Sequence, residues 1–194
     1  MWENKKIRSS LGFTTIELMI SLLIIALLVG VFLINYNSGQ RKIEVVMAAQ
    51  NLVSNIRLAQ NNSLGSVEFD LDHNGQIDAG ETVPAGGWGV YFNIALPDSY
   101  IIFADINSPN GNSDYDGSIE LDKRISFSDD VQLESLNDDF GSLTEAVVTF
   151  LPPDPIIYIN GLLNNNLTVT LKDMAGNLTK NVLVNFFGLV EATD

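Results

Sequence analysis

Residues 11–18 read Leu11-Gly12-Phe13-Thr14-Thr15-Ile16-Glu17-Leu18 and open an apolar run, residues 13–34, in which Glu17 is the single charge. A short polar, basic head, MWENKKIRSS, precedes it. As an α-helix this run reaches roughly 33 Å, enough to cross the hydrocarbon core of a bilayer. The cationic head then stays cytoplasmic and the rest of the chain lies outside. A secretory signal would be cut after its apolar core at a small-x-small site, and Asn35-Tyr36-Asn37 offers a poor one. A plain signal anchor accounts for the length but not for Glu17. A carboxylate in a membrane-length helix costs about 2.5–3.5 kcal/mol and therefore calls for a partner or a task.

Residues 11–18 resemble the prepilin processing motif of type IV pilins and type II secretion pseudopilins, which joins a basic leader, Gly-Phe, a glutamate and an unbroken apolar helix. The resemblance implies a leader, residues 1–12, removed by prepilin peptidase between Gly12 and Phe13, with Phe13 then methylated. It also implies that Glu17 neutralises the new α-ammonium of a neighbouring subunit and fixes register during filament assembly. In a low dielectric such a pair is strong. The chain departs from many major pilins in having no proline before Pro84; Gly30 is the one weak helix former inside the span.

From residue 35 the helix is expected to continue to about residue 64 as an amphipathic one. Val45, Ala48, Ala49, Leu52, Val53, Ile56 and Ala59 recur at steps of three and four, while Arg41, Lys42, Gln50, Asn51, Arg57 and Gln60 fill the remainder. That apolar stripe is expected to pack on the chain's own sheet, and Asn61-Asn62-Ser63-Leu64-Gly65 to end the helix.

Charge divides at the same point. The 194 residues carry a formal net charge of −14, split as +3 over residues 1–57 and −17 over residues 58–194. Residues 58–122 contain no Lys or Arg against 11 Asp and Glu. Such a surface repels phosphate backbones and argues against general nucleic-acid binding. With no cysteine and one histidine, His73, disulfides, thiol nucleophiles, zinc ribbons and multi-His metal sites are excluded.

Beyond Gly65 short β-branched and aromatic runs alternate with Gly, Pro, Asn and Asp. Strands are expected at 88–94, 100–104, 118–121, 125–127, 131–133, 146–151, 156–159, 167–171 and 182–187. The fold class is α+β: a long N-terminal helix packed on an antiparallel β-sheet head, residues 65–194. Asp173-Met174-Ala175-Gly176-Asn177 reads as a hairpin turn, and Pro152-Pro153-Asp154-Pro155 as a break or an edge. Gly86-Gly87-Trp88-Gly89-Val90-Tyr91-Phe92, with Phe103-Ala104-Asp105-Ile106-Asn107, resembles the strand pair of H-type minor pseudopilins and FimT-like minor pilins; the closing runs 167–171 and 182–187 are similar to that group's final hairpin.

Asp70-Leu71-Asp72-His73-Asn74-Gly75-Gln76-Ile77-Asp78-Ala79-Gly80-Glu81 matches a twelve-residue calcium loop. Oxygens of Asp70, Asp72 and Asn74 converge on a hard cation, and Gly75 permits the sharp turn. Gln76 offers its carbonyl, Asp78 a direct or water-bridged contact, and Glu81 a bidentate carboxylate. Ile77 is expected to anchor the loop to the core, and His73 to be exposed. Thr82-Val83-Pro84 cannot start a good exiting helix, so the loop is EF-hand-like and structural rather than a sensor. A second acidic stretch, with Asp105, Asn107, Asp114, Asp116 and Glu120, has ligand-rich chemistry at irregular spacing. It is either a second ion site or an ordinary polar loop.

These readings imply a non-enzymatic structural subunit in the cytoplasmic (inner) membrane, with its head outside the cytoplasm. Its implied partners are prepilin peptidase, sister pilin or pseudopilin subunits and an inner-membrane assembly platform. Calcium is the expected cofactor, and no nucleic acid or small-molecule substrate is expected. Secretion pseudopilus and type IV pilus stay open. A FimT-like DNA-uptake pilin is disfavoured because residues 186–194 lack Arg and Lys. The remaining alternative is a signal-anchored calcium-binding surface domain.

Overall fold

The computed structural model describes residues 12–107, 111–153, 156–176 and 178–193. Residues 1–11 of the expected leader, Asn110, Asp154, Pro155 and Asn177 lie outside the described residues. The chain divides into two compact units, 1–40 and 41–194.

One helix, α1 (Thr15–Leu64), covers both expected helical stretches without a break. Within the first unit, Thr15–Leu33 has a mean hydropathy of 2.8, and none of it is buried within the chain. It is long and apolar enough to cross a membrane. At its start Thr14 and Glu17 form a reciprocal capping box. The Thr14 amide and hydroxyl donate to Glu17 Oε2 at 2.9 and 2.7 Å, and the Glu17 amide donates to Thr14 Oγ1 at 3.3 Å. Glu17 is therefore in the first turn of the helix, and its carboxylate caps otherwise unpaired donors. That local role was absent from the reading of the apolar run alone.

The second unit contains the rest of α1 and ten strands. These are β1 (Gly87–Asn93), β2 (Ser99–Asp105), β3 (Leu121–Ser126), β4 (Val131–Asp138), β5 (Gly141–Leu143), β6 (Glu145–Leu151), β7 (Ile156–Ile159), β8 (Leu167–Asp173), β9 (Thr179–Val184) and β10 (Val190–Thr193). They form two antiparallel sheets, β3-β2-β1-β6-β7 and β10-β9-β8-β4-β5, where one was expected. Val45, Ala48, Ala49, Leu52, Val53, Ile56 and Ala59 are all buried, and they share one core with both sheets. The expected stripe is thus the packing face. Arg57 donates to the Val190 carbonyl at 2.8 Å and Asn55 to the Tyr100 hydroxyl at 2.7 Å, tying the helix to a strand of each sheet.

The helix ends in a Schellman arrangement. Ser66 N–H bonds the Ser63 carbonyl at 3.1 Å and Val67 N–H the Asn62 carbonyl at 2.9 Å. The left-handed residue is Ser66, at φ 49°, and not Gly65. The buried Ser63 hydroxyl then accepts from Trp88 N–H at 2.8 Å, and the Trp88 indole donates to the Val67 carbonyl at 3.1 Å. Helix end and first strand are locked together, which fixes where the intervening segment begins and returns.

Several strand expectations need correction. Residues 118–120 form a turn, because β2 pairs with β3 only from Leu121 onward. The run 182–187 stops as strand at Val184, since the Asn185 side chain accepts the amides of Phe187 and Leu189 at 3.0 and 2.9 Å and turns the chain into β10. The Pro-rich break lies between β6 and β7, which pair as a hairpin with β7 at the sheet edge. The two strand pairs on which the subgroup resemblance rested, β1–β2 and β8–β9, are both antiparallel hairpins.

Candidate metal loops

Two acidic loops converge on the start of β3. The first, residues 70–81, leaves the core at buried Phe69, whose ring packs edge-on against Trp88 at 5.8 Å. Asp70, Asp72 and Glu81 each place a carboxylate oxygen within 4.8 Å of the others. Glu81 closes the loop through both oxygens: Oε1 accepts Leu71 N–H and Oε2 accepts Asp78 N–H, each at 2.7 Å. Asp70 Oδ2 accepts Gly75 N–H at 2.7 Å, and Asp70 Oδ1 accepts Asn74 N–H at 3.2 Å. Gly75 has φ 84°, the left-handed turn that its position in the pattern requires. The Asn74 amide group donates to Asp72 and Asp78, both at 2.9 Å. Burial pushes the Asp70 carboxyl up, but the aimed amides of Gly75 and Asn74 outweigh it and hold the group below the usual carboxylate range.

Five of the six expected side chains in this loop are thus linked to one another. The sixth, Gln76, was assigned its carbonyl, and its amide N–H bonds Asn74 Oδ1 at 2.7 Å. Ile77 does not anchor the loop: it is 49% exposed. The anchor is His73, exposed as expected, whose ring contacts Phe69 edge-on and whose Nε2 lies 2.7 Å from the Leu121 carbonyl. A histidine at a non-ligand position of the pattern carries no sequence signal for this contact.

The second loop runs from the end of β2 to Glu120. Asp105, exposed at the level of 0%, accepts the amides of Asn112 and Ser113 on Oδ2 at 2.9 and 2.8 Å and that of Asn107 on Oδ1 at 3.3 Å. The side-chain amides of Asn107 and Asn112 both donate to Asp116 Oδ2. Asp116 N–H donates to Glu120 Oε2 at 2.8 Å. Asp105, Asn107, Asp116 and Glu120 therefore stand together. Asp114 does not join them by any of these bonds; its carboxylate accepts Tyr115 N–H at 2.8 Å. Tyr115 packs on Phe103 and Tyr91, with ring centroids 5.4 and 4.9 Å away, in a small apolar cluster separate from the main core.

Burial raises the carboxyl of Asp105, against the amides of Ser113, Asn107 and Asn112, and the nearby Asp116 adds to the rise. Glu120 is raised first by burial and further by Asp105 and Asp116, against the pull of the Asp116 amide. Between the loops, Asp122 is the unpaired residue of a β-bulge on β3. Its carboxyl is raised by burial, lowered by His73 and Lys123, and raised by Asp70. No protein-family model, curated protein or solved structure matches the chain.

Proposed function

We propose that the chain is a structural filament subunit, a minor pilin or pseudopilin, cut after Gly12 and assembled through its N-terminal helix. The observation that carries this reading is the join of two features. The apolar Thr15–Leu33 stretch finds no cover within the chain, and the Gly12-Phe13 motif with Glu17 stands at its start. Sister helices in a filament core would cover that surface, while the β-rich unit faces outward. The 70–81 loop holds calcium as a structural ion through Asp70, Asp72, Asn74, Asp78, Glu81 and the Gln76 carbonyl, a use that suits weak extracellular sites.

Intact mass of the membrane-inserted protein, made with and without prepilin peptidase, tests the central step. Loss of residues 1–12 and a methyl group on Phe13 are expected with the peptidase present. A retained leader beside active peptidase contradicts the reading. One observation favours a second reading, a signal-anchored calcium-binding surface domain. The Thr14–Glu17 capping box supplies Glu17 with local bonds that need no neighbouring subunit.

A further inference from the structure

Glu120 is the anomaly of the second loop. It is 1% exposed, its Oε2 is engaged by the Asp116 amide, and among the described residues its Oε1 has no hydrogen bond of normal geometry, the nearby Ile106 amide only lowering the carboxyl in part. A buried carboxylate oxygen without a donor costs free energy that native proteins normally avoid. Its surroundings make the cost worse, because Asp105 and Asp116 both act on Glu120 as like charges. None of the three meets a basic side chain in a salt bridge among the described residues, although Lys123 and Arg124 follow on β3. Three neighbouring carboxylates, less closely gathered than Asp70, Asp72 and Glu81, with a buried oxygen that lacks a well-formed hydrogen bond and no ion pair among the described residues, have the chemistry of a hard-cation site.

We propose that Asp105, Asn107, Asp116 and Glu120 form a second divalent-cation site, of the calcium class, built on residues separate from the 70–81 loop. The frame for it is already tight. A Cβ on Gly86 would stand 2.1 Å from Asp105 Oδ2, and one on Gly111 would stand 2.4 Å from it, so the backbone closes around this carboxylate. Ala104 N–H bonds the Glu120 carbonyl at 2.9 Å, which sets Glu120 beside the end of β2. Tyr115 fastens the outer side of the loop to the sheet. The amide groups of Asn107 and Asn112 both point nitrogen at Asp116 Oδ2. Turning the Asn107 amide by half a rotation presents its oxygen instead, which adds a neutral ligand to three carboxylates. The ion supplies positive charge that no salt bridge among the described residues brings to these carboxylates, and joins the exit of β2 to the entry of β3.

The test uses the full chain in detergent micelles, stripped of metal and titrated with calcium by equilibrium dialysis. The Asp70→Asn, Asp72→Asn double variant disables the first loop and isolates the second. It is expected to bind one calcium per chain, at a dissociation constant on the order of 0.1–1 mM. Adding Glu120→Gln should weaken that binding at least about tenfold, with the strand circular dichroism retained. Asp116 is exposed, so Asp116→Asn provides the same reading without touching the core, and it too should weaken binding. No uptake by the double variant up to about 10 mM, well above the range for extracellular sites, overturns the proposal. So does uptake that is unchanged by both Glu120→Gln and Asp116→Asn. None of these outcomes depends on leader cleavage or filament assembly.

Discussion

Replacing Glu17 separates two accounts of the same carboxylate. In the free chain it closes a capping box with Thr14 through bonds of 2.7–3.3 Å. Such a cap contributes about 1 kcal/mol, and glutamine in the same position keeps it. If capping is its whole role, Glu17→Gln costs a few tenths of a kcal/mol, within the context scatter of caps, and Thr14→Ala costs about 1 kcal/mol. If the carboxylate also neutralises the α-ammonium of an adjacent subunit in the membrane, Glu17→Gln leaves that charge buried and unpaired. The cost is then about 3–5 kcal/mol, or roughly two to three and a half orders of magnitude in incorporation. Thr14→Ala keeps the charge and should reduce incorporation by less than about tenfold. Sheared filaments and the membrane pool, compared by quantitative immunoblot for variants that have lost the leader, give the ratio directly. Wild-type incorporation of Glu17→Gln, or a larger loss with Thr14→Ala, would refute the assembly role and leave only the cap.

Three further outcomes follow from the head. Leu52 is fully buried in the shared core, so Leu52→Ala should cost about 2–5 kcal/mol, read as a lowered thermal midpoint by circular dichroism; a loss under about 1 kcal/mol contradicts that packing. Adding about 2 mM calcium to a site of about 0.1 mM affinity should stabilise the chain by about 2 kcal/mol, a rise of roughly 4–8 °C. In Glu81→Gln that rise should shrink, and equal melting with calcium or chelator in the wild type removes the 70–81 site. Asp138 is pushed up by burial, but Asn165 and the Phe140 and Gly141 amides outweigh this and lower its carboxyl. An aspartate lowered on folding stabilises above its unfolded pKa of about 3.9 and loses that contribution as pH falls through its folded value. Asp138→Ala should therefore be less stable than wild type by about 1–2 kcal/mol at pH 7, with the gap closing below pH about 3.9; a gap independent of pH argues against the ionised carboxylate.

What was legible in the sequence is what repeats locally. The stripe from Val45 to Ala59 announces its buried face because a helix returns every 3.6 residues, whatever it packs against. The 70–81 loop is legible for the same reason: its ligands sit at fixed spacings within one turn of chain. The division into two sheets was not legible, because it depends on β4 choosing β8, some 30 residues away, over its neighbour β3. The strands β5 and β10, of 3 and 4 residues, are too short to display an alternation that exceeds chance.

The second loop shows a sharper failure, and its direction is informative. Against ordinary side-chain preference, Ile119 is 66% exposed and Glu120 1%. The inversion follows from pairing rather than from side-chain preference. The Ala104–Glu120 backbone bond sets which way residues 119 and 120 face before β3 begins. The extra residue of the bulge lies between Glu120 and Lys123, so the orientation of Glu120 is set by its own pairing with the end of β2, separately from the alternation of residues 123–126. An acid held by that pairing cannot escape by rotating to solvent, so its charge has to be met where it stands, by a proton or by a cation. With no salt bridge to Glu120 among the described residues, the choice between the two is left to the medium around the head.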